Sequence, residues 1–268
     1  MSLIQAFILG VVQGVGEFLP ISSSGHLVIV PYILGWNYQG LGFDVALHMG
    51  TVLAVIAYFW RDWLIIFSEA LSPTNTPNKK DQFSYPSNLL WIILVSSIPA
   101  AIAGYYLEDL AEHALRNPLL IATMLAAFGL LLWIVDAAST KREEIKNIGY
   151  PKAFIVGIAQ SIALLPGVSR SGVTATAGLL LGLSRESAMR FSFLLATPAV
   201  VGAFILTLKD LSASEINVAF LVAVATSAVT GFLSIKYLLR YLSKNSFTPF
   251  AIYRLILAVV IALLYLLK

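Results

Sequence analysis

Two short stretches hold most of the residue types that could act on a phosphate. Residues 13–26 read Gln-Gly-Val-Gly-Glu-Phe-Leu-Pro-Ile-Ser-Ser-Ser-Gly-His, and residues 166–174 read Pro-Gly-Val-Ser-Arg-Ser-Gly-Val-Thr. In the first, Gln13 and Glu17 stand four apart and share one helix face. A carboxylate flanked by apolar sequence is a candidate for metal binding or proton transfer. Ser22, Ser23 and Ser24 each offer a nucleophile if a base is in reach, and each equally offers a cap for the helix that follows. His26 reads as an acid/base, an orienting partner or a structural imidazole. In the second stretch Arg170 is the only charge between Lys152 and Arg185. Its planar fork suits phosphate. Ser169, Ser171 and Thr174 surround it, and the loop leads into a helix N-terminus, which favours anions. The competing reading is an Arg170–Glu17 ion pair that merely ties the two stretches together. Asp44 and His48 open the next apolar run and would line the mouth of the same site.

The elements that carry these residues must lie in a membrane. The chain has 268 residues, 59% of them hydrophobic and only 12% charged, with a mean hydropathy of +0.86. A soluble domain is about 45–50% apolar and about 25% charged, so this chain lacks the polar surface to cover a water-soluble core. That excludes a soluble enzyme, a disordered chain and a nucleic-acid binder. There is no cysteine, hence no disulfide, thiolate nucleophile or Cys-ligated metal. The apolar start, Leu3 to Val15, has no basic flank or small-residue cleavage site and is not expected to be a removed signal peptide. Ser72–Ser87 reads as a polar loop.

Uncharged runs predict six spans: Val45–Trp60, Gln82–Leu107 (apolar from about Leu89), Asn117–Val135, Phe191–Leu208, Ile216–Ile235 and Phe250–Leu267. Leu3–Gly35 and Lys152–Leu183 are also apolar, but each breaks in the middle, at Pro20–Gly25 and at Pro166–Gly172. Pro and Gly end helices and Ser competes for backbone bonds. Each arm is too short to cross, so each segment predicts a re-entrant helix–loop–helix. Lys and Arg then alternate between basic and poor loops, which places the basic loops in the cytoplasm and both termini outside. Arg185, Glu186 and Arg190 read as a solvated cytoplasmic turn, His113 as part of an acidic loop, and Trp36, Trp60, Trp63 and Trp91 as interfacial anchors.

The chain also repeats itself. Residues 6–13, Ala-Phe-Ile-Leu-Gly-Val-Val-Gln, match residues 153–160, Ala-Phe-Ile-Val-Gly-Ile-Ala-Gln. Pro20 then aligns with Pro166, Ser22–Gly25 with Ser169–Gly172, and Phe43 onward with Phe191 onward. Each half holds one re-entrant segment and three spans, so the second half is inverted in the bilayer, an arrangement that builds buried polar sites. The expected fold is an all-α integral membrane protein of one domain, 1–268, with repeat halves of about 1–136 and 150–268.

The run from Gln13 to His26, the run from Pro166 to Thr174 and the segment Phe43–His48 resemble the signatures of the undecaprenyl-pyrophosphate phosphatases of the BacA (UppP) family, over essentially the whole chain. The resemblance implies a hydrolase of the cytoplasmic membrane whose site faces the outer side. It would remove the terminal phosphate of undecaprenyl diphosphate, recycle the lipid carrier for peptidoglycan synthesis and confer bacitracin resistance. It implies a divalent cation, Mg²⁺ or Ca²⁺, held by Glu17 and Gln13. It also implies a catalytic core of Glu17, Ser23, His26 and Arg170, with Gln13, Ser22, Ser24, Ser169, Ser171 and Thr174 in close support around the substrate. The family accepts Glu or Gln at position 13; Gln leaves one carboxylate fewer. Expected partners are the polyprenyl diphosphate, the bilayer and a second copy of the chain, and no nucleic acid. Ser24-Gly25-His26 and Ser169-Arg170 also resemble motifs of type 2 phosphatidic acid phosphatases, but no His follows Arg170 to serve as that family's nucleophile. Ser23, His26 or a water stay open as nucleophile, and a lipid-phosphate carrier stays open as the second class of function.

Overall fold

The computed structural model describes residues 2–37, 41–71, 85–113, 117–207 and 216–267. They form ten α-helices and a short 3₁₀ turn at Ile145–Asn147. Four helices are short. Helix α1, Leu3–Phe18, starts from a capping box in which Ser2 and Gln5 exchange side-chain to backbone hydrogen bonds. It stops where Leu19 turns extended ahead of Pro20. Helix α2, Ser23–Leu34, ends on Gly35 in the left-handed conformation. Helix α6, Tyr150–Ile162, and helix α7, Arg170–Leu180, flank the second break. With 16, 12, 13 and 11 residues, these helices measure about 24, 18, 20 and 17 Å at ~1.5 Å per residue. None matches a hydrocarbon core of about 30 Å. Both broken segments are therefore helix–turn–helix pairs, as their Pro, Gly and Ser content required.

The long helices are α3 (Leu41–Leu71), α4 (Leu89–His113), α5 (Pro118–Ala138), α8 (Arg185–Thr207), α9 (Val218–Leu242) and α10 (Thr248–Leu266). All but α8 are long and apolar enough to cross a membrane. Helix α8 has the length but also carries Arg190, Ser192 and Thr197, and it buries Phe191–Ala196 against protein rather than turning an apolar surface outward. On α4 and α10 the opposite holds: Ile98, Ile102, Ile256, Val259 and Leu263 are about half exposed or more. An apolar surface of this extent is stable in lipid and costly in water. The chain is a multi-pass α-helical membrane protein.

Small residues let the short helices dock tightly. Helix α1 lies on α9, where a Cβ at Gly14 would sit 2.0 Å from Thr230 Oγ1 and 2.6 Å from the Ser227 carbonyl oxygen. Helix α6 lies on α4, where a Cβ at Gly157 would sit 2.0 Å from the Ser96 carbonyl oxygen. Such backbone proximity is a common way for helices to associate in a bilayer. Helix α5 packs on α10, and α3 packs on both α8 and α9.

Three expectations need correction. The candidate span does end at Leu107, but helix α4 runs on to His113, which therefore belongs to the helix and not to a loop. Arg185 and Arg190 are not in a solvated turn. Arg185 makes a two-pronged ion pair with Asp136 at the end of α5, at 2.6 and 3.2 Å. Asp136 also accepts from the Phe247 N–H at 2.9 Å. Arg190 is buried, pairs with Asp62 of α3 and donates to the Tyr85 hydroxyl at 2.6 Å. Burial pushes the ionisation of Tyr85 above the ordinary phenol range. A charge at an element boundary looks solvated in sequence until its partner is known, here 49 residues away for Arg185 and 128 for Arg190. Among the tryptophans, Trp60 and Trp91 are half exposed, whereas Trp63 packs against the core. Residues 72–84 of the polar loop lie outside the described residues.

Candidate active site

The two breaks have the same local geometry. Ser22 and Ser169 both adopt positive φ, 74° and 70°. Each caps the next helix by accepting the N–H three residues on, from Gly25 at 3.4 Å and from Gly172 at 3.2 Å. In each, the capping hydroxyl lies 3.3 Å from a second one, Ser24 beside Ser22 and Ser171 beside Ser169. A positive φ outside glycine is strained and persists only when surrounding contacts enforce it. Here the caps and the cross-ties do so. Ser171 Oγ donates to the Leu19 carbonyl in the other break at 3.1 Å.

Where the breaks meet, four of the candidate side chains form one cluster. Arg170 Nη2 donates to Glu17 Oε1 at 2.6 Å. Ser23 Oγ donates to Glu17 Oε2 at 2.6 Å, and Gln13 Nε2 donates to the same oxygen at 3.2 Å. Arg170 is steadied by the Ala196 carbonyl at 3.3 Å, which leaves further guanidinium N–H groups for an anion. The Glu17 and Arg170 side chains retain 11% and 17% exposure, so the pair is enclosed yet reachable. Thr174 is buried, donates to the Arg170 carbonyl at 2.7 Å and lies 2.6 Å from Ser192 Oγ. It pins the first turn of α7 to α8.

His26 is held apart from this cluster. Its Nδ1 lies 2.7 Å from the Ser22 carbonyl, which only accepts, so the proton is on Nδ1. Nε2 then accepts from the Tyr253 hydroxyl at 2.6 Å, and the two rings stack at 5.7 Å. From the cluster, Ser23 lines a cavity of about 590 Å³, and Ser24, Asp44 and the imidazole of His48 stand on the same wall. The rest of that wall is largely apolar, including Leu27, Val28, Pro31 and Phe43.

Two site residues were missed as such in the sequence, Tyr253 and Arg254, both on α10. Arg254 is fully buried. It donates to the Gly167 and Val168 carbonyls at 3.0 and 2.8 Å, to Pro20 at 3.4 Å and to Leu125 at 3.3 Å. One guanidinium thus holds both breaks by their backbones. The signal was available: a charge inside an apolar span is a functional candidate by default, but Arg254 sits near the end of its run and reads as a boundary residue.

The donor set fits a hard divalent cation only in part. Gln13 Oε1 is buried without a hydrogen-bond partner and lies on the amide that donates to Glu17, so an amide oxygen and a carboxylate stand side by side. Mg²⁺ is commonly held by one or two protein oxygens together with substrate phosphates and water. Among the described residues no cluster of three His, Cys, Asp or Glu side chains could hold a metal, so the remaining ligands would have to come from the diphosphate and water.

An enclosed carboxylate bonded to a serine hydroxyl and a guanidinium, on paired broken helices in an apolar bundle, brings together the groups that phosphoryl chemistry uses. Comparison with known proteins gives the family. A sequence profile described as "Bacitracin resistance protein BacA" matches residues 6–260. The undecaprenyl-diphosphatase of Moorella thermoacetica is 49% identical over 268 residues, covering 100% of both chains. That of Pelotomaculum thermopropionicum is 46% identical over 263 residues, covering 97% of each. That of Elusimicrobium minutum is 42% identical over 268 residues, again covering 100% of both. The chain belongs to the BacA family.

Proposed function

We propose that this protein is an undecaprenyl-diphosphate phosphatase, releasing the terminal phosphate of undecaprenyl diphosphate and returning undecaprenyl phosphate to peptidoglycan synthesis, with bacitracin resistance on overproduction. The observation that carries this reading is the Ser23 hydroxyl, 2.6 Å from a carboxylate whose other oxygen is held at 2.6 Å by Arg170. A nucleophile, a proton acceptor and an anion-binding cation converge there, in a chain whose full-length relatives carry that activity in their names.

In the proposed reaction the diphosphate lies against Arg170 and the prenyl chain runs along the apolar cavity wall. Ser23 Oγ attacks the terminal phosphorus and its proton passes to Glu17 Oε2. The bridging P–O bond breaks, and its electron pair leaves with the lipid phosphate. Water then cleaves the phosphoserine to give inorganic phosphate. Arg170 neutralises charge on the transferred phosphoryl group, the main catalytic task in such reactions. A divalent cation, Mg²⁺ or Ca²⁺, held by Gln13 and Glu17 would supply further neutralisation when bound. Ser22, Ser24, Ser169 and Ser171 shape the two turns, Thr174 and Arg254 position them, and His26 with Tyr253 supports the first. A serine nucleophile is favoured over His26 because both ring nitrogens of His26 are already engaged.

The same proposal includes the finer topology: six spans, two re-entrant pairs, halves of about 1–136 and 150–268 inverted with respect to each other, both termini outside, and a site open to the outer face of the cytoplasmic membrane. It is supported by the matched turns at Ser22 and Ser169, by the reciprocal packing of α1 on α9 and α6 on α4, and by the alternation of basic loops. The test of the activity is release of inorganic phosphate from a prenyl diphosphate by purified protein in detergent. It needs no compartments, so a carrier without hydrolytic activity would release none.

A further inference from the structure

We infer that His48 is the proton acceptor for the water that completes the reaction, an assignment that rests on the phosphatase reading above. Ser23 gives its proton to Glu17, whose carboxylate it touches at 2.6 Å. While Glu17 holds that proton, it is needed for return to Oγ and cannot take a second one. The water that attacks the phosphoserine therefore requires another acceptor within the same cavity.

Of the three histidines in the chain, two lie near the site, and they differ in what their nitrogens are doing. His26 is buried, with Nδ1 on the Ser22 carbonyl and Nε2 on the Tyr253 hydroxyl. Taking a proton at Nε2 would require that hydroxyl to turn away. His48 is half-buried on the wall of the cavity that Ser23 and Ser24 also line. Its Nδ1 lies 2.8 Å from the Asp44 carbonyl, an acceptor, which fixes the proton there and the lone pair on Nε2. Among the described residues nothing hydrogen-bonds that Nε2. A ring anchored at one nitrogen and open at the other is arranged as a general base.

The step then balances. The water oxygen bonds to phosphorus and its proton passes to His48 Nε2. The P–Oγ bond breaks with its electron pair going to Ser23 Oγ, and Glu17 returns its proton to that oxygen. Inorganic phosphate leaves, and the imidazolium gives its proton to solvent.

The assignment separates two phases of turnover, and the test reads both. Purified protein in detergent is mixed rapidly with farnesyl diphosphate, and farnesyl phosphate and inorganic phosphate are followed separately. His48→Asn keeps an amide N–H for the Asp44 carbonyl but has no proton acceptor at the Nε2 position. The expected result is a farnesyl phosphate burst approaching one per chain, followed by inorganic phosphate release slowed about 10²–10⁴-fold. In His48→Ala, added imidazole restores the second phase alone. Inorganic phosphate release by His48→Asn within threefold of the unsubstituted protein would overturn the assignment, as would loss of the burst in both variants. Absence of phosphate release from the unsubstituted protein would instead sink the phosphatase reading itself.

Discussion

The Glu17–Arg170 pair either joins two loops or takes part in catalysis, and stability and activity respond differently in the two cases. The perturbation is a cycle of Glu17→Gln, Arg170→Gln and the double substitution. Each single change strands one charge that now sits 2.6 Å from its partner. Breaking a buried pair from one side costs about 3–5 kcal/mol. With 11% and 17% exposure left on the two side chains, some water reaches the stranded charge and the cost falls to the bottom of that range or just below it, about 2–3 kcal/mol. At roughly 2–4 °C per kcal/mol for a chain of this size, each single variant melts about 4–12 °C lower. The double variant strands no charge, and its two amides can hydrogen-bond to each other, so most of that loss returns. Turnover behaves otherwise. The phosphoryl group still lacks its guanidinium, which in phosphoryl transfer is worth about 10³–10⁵ in rate, so the double variant stays at least 10³-fold down. It is also no worse than the product of the singles, as expected of groups that act as a unit. The assays are thermal unfolding in detergent and phosphate release from a prenyl diphosphate. Recovery of both stability and turnover in the double variant would refute the catalytic role and leave only a structural tie.

Three other outcomes follow from the geometry. Tyr253→Phe removes the hydroxyl that holds His26 Nε2; phosphate release is expected to fall about tenfold, and an undiminished rate would show that the orientation of His26 is irrelevant. Gly157→Ala places a Cβ 2.0 Å from the Ser96 carbonyl oxygen. Because backbone cannot yield as a side chain can, α6 should lift off α4 with a loss of about 1–3 kcal/mol or more, measured by thermal unfolding; an unchanged melting temperature would contradict the packing. Gln13→Glu adds a carboxylate next to Glu17 and should tighten divalent-cation binding, measured by calorimetric titration with Mg²⁺ and Ca²⁺. Equal affinity before and after would remove position 13 from the metal site.

Much of this architecture could be read from local residue chemistry. Pro20, Pro166 and Gly167 break apolar runs too short to continue as spans, and the helices stop at Phe18 and Ile162, just ahead of them. Glu17 and Arg170 stood out because a lone charge in such a run is expensive unless it is used, and they meet. What the sequence hid is long-range partnership. Arg190 looks like a loop residue until Asp62 and Tyr85 are seen around it. Ser22 and Ser23 are chemically identical neighbours, and only the turn decides which caps α2 and which faces Glu17. His26 drew attention by its motif, whereas its tie to Tyr253 depends on α10 crossing back over the first break, which no spacing announces. Arg254 is the clearest case: its four carbonyl partners come from three separate segments, so its role exists only in the folded chain.

The central claim is that Ser23, with Glu17 taking its proton and Arg170 facing the phosphate, carries the phosphoryl group. Rapid-quench labelling with a prenyl diphosphate radiolabelled in its terminal phosphate, followed by peptide mapping, tests it most directly. The account requires the label as phosphoserine on Ser23. Label on His26, or turnover with Ser23→Ala undiminished, would contradict it.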